Sequence, residues 1–286
     1  MKDVRARMRD KLARVLEEFV AREMRAAFAA QRELLLQQAA AVDRLAGAVE
    51  AAERRTAAAE ERLEASLRAW ERRTRRDLYT AEDVQAARTS AAFLRREMGT
   101  AVAHFGKQDT LLAAVKAAPP EGMALEFGVA TGSTLRLIAE HAPAGTVFGF
   151  DSFEGLPEHW RSGFPAGAFA MNALPEVPGA ELVVGWFDRS LPDFLVEHPG
   201  PVAFLHLDAD LYSSTVTVLT ALESRLQVGT VVLFDEYFNY PGWEEHEHRA
   251  WTEFVARTGI GFCYLGFTAD DEQVAIRITD VPAARG

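Results

Sequence analysis

Residues 124–134, Ala-Leu-Glu-Phe-Gly-Val-Ala-Thr-Gly-Ser-Thr, decide the fold of this 286-residue chain. A short apolar run (Ala124, Leu125, Phe127, Val129) carries one acid, Glu126, and breaks into a turn holding Gly128 and Gly132. Ser133 or Thr134 then opens a helical pattern. A strand that turns sharply into a helix leaves free backbone N–H groups and a positive dipole end beside the strand's carboxyl edge, where a nucleotide-like ligand can lie. The spacing is Glu-x-Gly-x-x-x-Gly, without the third glycine of the Gly-x-Gly-x-x-Gly loop that cradles a pyrophosphate.

Working outward, the same grammar repeats after Pro119-Pro120. Short β-rich runs at 124–129, 146–150, 181–184, 202–207, 230–234, 260–265 and 273–278 alternate with helical patterns near 133–141, 189–197, 214–225 and 244–257. Such alternation predicts an α/β fold: a mostly parallel sheet of seven strands, its last two runs forming an antiparallel hairpin at one edge, with helices on both faces.

The N-terminal third reads differently. From Met1 to Met98 there is one glycine, Gly47, and no proline. Apolar residues recur at 3–4 spacing through Met24, Phe28, Leu35, Val42, Leu45, Val49, Leu63 and Trp70, diluted by Gln, Thr and Ser. A helix this long cannot cover its own stripe, so the pattern predicts a self-associating coiled coil over 1–78, with a hairpin folded at Gly47 as the competing reading. Tyr79-Thr80-Ala81-Glu82-Asp83 reads as a new helix start with Thr80 as its cap. Residues 79–120 then form a helical linker or cap, and 121–286 the catalytic domain.

Composition narrows the function. The net charge is −11, but residues 1–100 carry 21 Lys and Arg against 17 Asp and Glu, whereas the remainder carries 10 against 25. An acidic sheet domain argues against nucleic acid as substrate, because phosphate contacts supply much of that affinity. The cluster Arg72, Arg73, Arg75 and Arg76 reads as a solvated helix face. No run is apolar enough to suggest a membrane partner, and no signal-peptide core follows Met1, so a cytoplasmic location is expected. The single cysteine, Cys263, excludes internal disulfides and reads as a small buried apolar residue.

In open α/β sheets ligands bind beyond the carboxyl ends of the strands. After the second strand comes Asp151-Ser152-Phe153-Glu154-Gly155-Leu156-Pro157, with Asp151 placed 23 residues past Gly128, where an acid can accept both ribose hydroxyls of a nucleoside. Gly185-Trp186-Phe187-Asp188 follows the third run; its rings either sandwich an adenine or pack the loop. The expected cofactor site is thus Glu126, Gly128, Thr131, Gly132, Ser133, Asp151, Ser152, Trp186 and Phe187. The next two strands end in Asp208-Ala209-Asp210 and Asp235-Glu236. Carboxylates that close repel, and an oxygen-only set suits Mg²⁺ or another hard divalent ion; the alternative is that Asp208 and Asp210 cap the following helix. In Glu244-Glu245-His246-Glu247-His248, two histidines two residues apart face different directions on a helix, so His246 reads either as a single general base or as solvent-exposed.

Together these stretches resemble the macrocin O-methyltransferase (TylF/MycF-type) family of class I methyltransferases. The matching segments are Leu125–Val129, Asp151–Pro157, Gly185-Trp186-Phe187 with Leu191-Pro192, Asp208–Tyr212 and Asp235-Glu236-Tyr237. The resemblance implies a Rossmann-like fold, S-adenosylmethionine (SAM) as cofactor, usually Mg²⁺, and a hydroxyl acceptor on a small molecule, often a sugar of a natural product. It implies Asp208, Asp235 and Glu236 as metal ligands, where the family commonly has Asp-Asp at the last two positions. Asp208, Asp210 and His246 are the expected catalytic residues, with Asp210 or His246 taking the proton. Two other functions compete: an NAD(P)-dependent oxidoreductase, disfavoured by the missing third glycine, and a non-catalytic SAM-binding protein whose coiled coil is the working part.

Overall fold

The apolar runs are buried on both faces. Every residue of the strands Met123–Phe127, Val202–Leu207 and Val231–Phe234 is buried in the computed structural model, which describes residues 2–143 and 146–282. Strands covered twice belong to a parallel sheet with helices on each side. The chain divides into two compact units, Met1–Arg76 and Asp77–Gly286.

The first unit is one uninterrupted helix, α1 (Lys2–Arg76). It runs through Gly47 without a turn, so no hairpin forms there. Its Ala, Leu, Arg and Glu content favours helix, and exposed pairs one turn apart, Glu50 with Arg54, Glu64 with Arg68 and Glu71 with Arg75, add a little more. The seam is uncovered in the single chain: Met24, Phe28, Leu35, Val42, Leu45, Val49, Leu63 and Trp70 are each at least 53% exposed.

The second unit runs α2 (Leu78–Glu97), β1 (Val102–His104), α3 (Lys107–Ala117), β2 (Met123–Phe127), α4 (Ser133–His141), β3 (Val147–Asp151), β4 (Glu181–Val184), α5 (Phe187–Glu197), β5 (Val202–Leu207), α6 (Tyr212–Leu222), β6 (Val231–Phe234), α7 (Glu247–Thr258), β7 (Gly261–Thr268) and β8 (Val274–Asp280). The strand order is β1-β7-β8-β6-β5-β2-β3-β4, and only β8 runs antiparallel to its neighbours. The sheet has eight strands, one more than the sequence predicts. The extra strand, β1, is three residues long and pairs outside β7, so the β7–β8 hairpin is not the outermost edge. The cap of α2 also differs: Asp77 accepts the Tyr79 N–H at 3.0 Å and starts the helix before Thr80. Cys263, on β7, is exposed and not buried.

Alternation along the strands assigns residues to two cores. Leu125, Phe127, Phe150, Leu205, Leu207 and Phe234 face the side covered by α2, α5, α6 and α7. Ala124, Val147, Phe204, Val231 and Leu233 face α3 and α4. Glu126 and His206 lie on that second face, two positions beyond Ala124 and Phe204.

The strand ends are drawn tightly together. Past β2, Gly128 N–H donates to the Phe150 carbonyl at 2.9 Å, and Asp208 N–H donates to the Phe127 carbonyl at 2.9 Å. Gly128 has φ +96, and a Cβ there would lie 1.8 Å from the Asp208 carbonyl oxygen. The first glycine is therefore required by the approach of β5 as well as by its own backbone. Gly128→Ala is expected to lose at least about 2 kcal/mol of unfolding free energy in urea, combining left-handed strain with a clash against rigid backbone.

Candidate active site

The crossover from β2 to the neighbouring strands opens a cavity of about 730 Å³ over the carboxyl ends of β2, β3, β5 and β6. One part of its wall is Gly128, Ala130, Asp151, Ser152, Trp186 and Phe187. Another is Lys107, Asp208, Asp210, Asp235 and Glu236. Of the residues expected to hold a cofactor, Gly128, Asp151, Ser152, Trp186 and Phe187 therefore line one cavity. Thr131, Gly132 and Ser133 are not among the lining residues; Gly132, φ +74, caps α4 and packs against Val177 and Pro175. Glu126 is completely buried beneath the site.

Asp151 has a structural task of its own. Its Oδ2 accepts the N–H groups of Val129 and Ala130, each at 2.9 Å, and its Oδ1 accepts the Phe153 N–H at 2.7 Å. Two bonds fill Oδ2, and Oδ1 keeps room for one more. The carboxylate thus fixes the glycine turn and has one acceptor site left, not the two that a pair of ribose hydroxyls would use.

The acids at the ends of β5 and β6 separate into two groups that share Asp208. Ligating atoms of His206, Asp208 and Asp235 lie within 4.8 Å of one another, and so do those of Asp208, Asp210 and Glu236. Asp235 and Glu236 follow the end of β6, and both line the cavity. The second group contains only oxygen donors, and Glu236 Oε2 is buried with no hydrogen-bond partner. Such a set fits a hard divalent ion. Asp210 also holds a left-handed backbone, φ +59, in the tight turn before α6.

Beneath this lies a buried charge column. Glu126 and His206 are register partners on β2 and β5; His206 Nδ1 meets Glu126 Oε1 at 2.8 Å, and His206 Nε2 approaches Asp235 Oδ1 at 3.6 Å. Burial alone would depress the imidazolium, but hydrogen bonds with Asp235 and Glu126 carry its pKa well above the usual value. Burial pushes Asp235 up too, but His206 and then Lys107 outweigh it and leave this acid lowered. The other carboxyls shift upward: Asp208 and Glu236 well above their usual range through burial and then the Asp235 charge, and Asp210 to about 7 mainly through burial. Glu247, whose Oε2 accepts the Glu236 N–H at 3.0 Å, is likewise raised well above its usual value by burial. Lys107, at the start of α3, is raised chiefly by Asp235.

His246 stands apart. It precedes α7, its ring lies 6.2 Å from that of Tyr240, and it is not among the residues lining the cavity. Burial and then Arg161 lower its pKa, which keeps the ring neutral. Sequence reasoning missed Lys107, Arg161, His206 and Glu247. For His206 a signal existed: in the strands β2, β5 and β6, Glu126 and His206 are the only ionisable residues.

Residues 125–237 match the family model described as a methyltransferase domain. Over 128 residues the chain is 30% identical to a demethyldecarbamoylnovobiocin O-methyltransferase of Streptomyces niveus, an alignment covering 37% of this chain and 47% of the relative, so the chain spans about half the length of that protein. Among solved structures, a calicheamicin methyltransferase is 22% identical with a TM-score of 0.48, covering 76% of this chain and 92% of the other. The O-methyltransferase NovP is 23% identical with a TM-score of 0.48, covering 61% and 80%. The sheet domain is thus similar to class I methyltransferases, as its motifs suggest.

The charge column sets a test of stability. Glu126→Leu leaves the His206 cation with one partner fewer in a dry interior and is expected to cost about 3–5 kcal/mol. Urea denaturation at pH 7 should show that loss, and the double variant Glu126→Leu with His206→Leu should recover part of it.

Proposed function

We propose that this protein is a SAM-dependent O-methyltransferase that acts on a hydroxyl of a small molecule, probed below at the level of binding and turnover. The observation that carries the reading is the cavity in which the glycine turn and Asp151 stand beside a cluster of buried carboxylates. SAM would lie along Gly128, Asp151 and Ser152 with its adenine near Trp186 and Phe187, and would supply the methyl group. A sugar of a natural product is the acceptor class favoured by the resemblance to a novobiocin-type O-methyltransferase.

Asp208 and Glu236 would hold a divalent ion, with Asp210 or Asp235 beside them. Such an ion would supply positive charge that lowers the pKa of an acceptor hydroxyl. Asp210 is the proton acceptor in this reading: it lines the cavity beside Asp208 and Glu236. Asp235 is held by His206 and Lys107 and so serves to fix the cluster. His246 lies outside the cavity and is assigned no step. Leu156, Pro157 and Trp160 add an apolar stretch to the cavity wall.

We further propose that α1 pairs with a second copy of the chain as a coiled coil, because its exposed seam has no cover within one chain. No helix among the described residues is long and apolar enough to cross a membrane, so a bilayer spanned by α1 is not the alternative cover.

Two experiments test these readings. Calorimetry should detect SAM binding, and release of S-adenosylhomocysteine with a supplied glycoside should cease on chelation and return with Mg²⁺. Asp210→Asn should lower kcat at least 100-fold with metal affinity unchanged; a matching fall in metal affinity makes Asp210 a ligand and not the base. Full turnover in excess chelator overturns the metal part, and absence of SAM binding overturns the whole. By light scattering the full-length protein should be a dimer or higher oligomer that falls apart in the triple variant Leu35→Glu, Val42→Glu, Val49→Glu; a monomeric parent refutes the coiled coil.

A further inference from the structure

We propose that Glu247 is a positioning residue for the divalent ion: it stays clear of the ion itself and holds the backbone of Glu236, whose carboxylate would ligate. This inference rests on the metal part of the reading above.

The segment that leaves β6 ties three successive backbone N–H groups to three different places. Asp235 N–H donates to the Leu207 carbonyl at the end of β5, at 2.8 Å. Tyr237 N–H donates to the Glu272 carbonyl between β7 and β8, at 3.0 Å. Between them, Glu236 N–H donates to Glu247 Oε2 at 3.0 Å. This middle tie is made by a side chain, whereas its two neighbours are backbone to backbone, and it comes from the first residue of α7.

The post that carries the tie is well anchored. α7 buries Ala250, Trp251 and Phe254, and the Trp251 ring meets Phe234, the last residue of β6, edge-on at 5.6 Å. The helix that supplies Glu247 is thus packed against the strand end that carries Asp235 and Glu236.

Stability alone does not call for an acid at this place. A neutral acceptor satisfies a buried N–H as well, yet Glu247 is fully buried and its Oε1 has no hydrogen-bond partner. Burying a carboxyl for one bond costs more than the bond returns. Glu236, which the tie fixes, also has a buried and unpartnered oxygen, Oε2, and its ligating atom lies within 4.8 Å of those of Asp208 and Asp210. An ion ligand must be held within about 0.5 Å of its working position. A long side chain meets that demand only if its backbone is fixed first, and Glu247 supplies the fixing bond.

The test is Mn²⁺ affinity of the full-length protein saturated with S-adenosylhomocysteine, read from the paramagnetic resonance signal of free Mn²⁺. Glu247→Leu removes the acceptor and should weaken Mn²⁺ binding at least about tenfold, the scale on which partners of metal ligands act. Glu247→Gln keeps an acceptor oxygen at the same reach and should stay within about threefold of the parent, well short of that loss. Affinity for S-adenosylhomocysteine should be the same in all three proteins. A purely structural role would lower the unfolding temperature of Glu247→Leu and leave the folded protein's Mn²⁺ affinity unchanged, and that result overturns the proposal. So does a Gln variant as weak as the Leu one. Should Glu247→Leu fail to fold, Glu247→Asp, one methylene shorter, replaces it; a weakened Mn²⁺ affinity supports the tie and a parental affinity refutes it. A parent that binds no Mn²⁺ removes the metal part of the reading together with this proposal, whereas a parent and a Leu variant that bind it equally remove the proposal alone.

Discussion

A histidine buried between two acids is the constraint on which the site depends. Glu126, His206 and Asp235 come from the adjacent positions β2, β5 and β6, and the contact exists only because these parallel strands end in one register. The two flanking carboxyls raise the His206 pKa against a burial that would lower it, while burial also raises Glu126. A slip of one residue in either strand would turn His206 or Glu126 to the opposite face and leave its partner alone in the core. The ionic column therefore locks the register that places Asp208 and Asp235 side by side.

The remaining acids are left out of that balance, and their upward shifts follow. Asp208, Asp210, Glu236 and Glu247 raise one another, and His206 on Asp208 and Arg161 on Asp210 offset this only in part. Rigid surroundings prevent the acids from simply swinging apart. The glycine turn is clamped by two N–H bonds to Asp151, and the β5–α6 turn is held in a left-handed conformation at Asp210. Crowded charge held in place is a reservoir for binding a cation, and the same stiffness gives the cavity its shape before any ligand arrives.

Period and punctuation made most of the sheet legible. Buried strands such as Val202–Leu207 are nearly continuous apolar runs, and the acids that end them stand out against that background. β1 is too short for any alternation to show, and it exists because β7 offers it an edge. Asp77 was passed over as a helix cap because it lies inside a continuous helical pattern, and only the broken backbone reveals its role. Cys263 is exposed on the first half of β7, which β1 does not pair with. Lys107 and Arg161 reach the site from a helix start and a long loop, and neither carries a spacing that ties it to the strand ends. Asp151 was legible as a site acid, but its two bonds to the turn depend on how β2 and β3 end, which no motif records.

Glu236 shows how one methylene alters this geometry. In the family resembled here, a second Asp commonly follows the first at this position. A side chain one methylene shorter at 236 would carry its carboxylate less far from the backbone. The longer Glu brings a carboxylate oxygen within 4.8 Å of those of Asp208 and Asp210. Asp235 is meanwhile drawn toward His206 and held ionised there. The pair thus divides its work: one acid neutralises the buried imidazolium, and the other completes an oxygen-only set facing the cavity. The oxygen-only set has the donors that a hard cation takes, and it shares Asp208 with the group around the histidine that holds the strands in register.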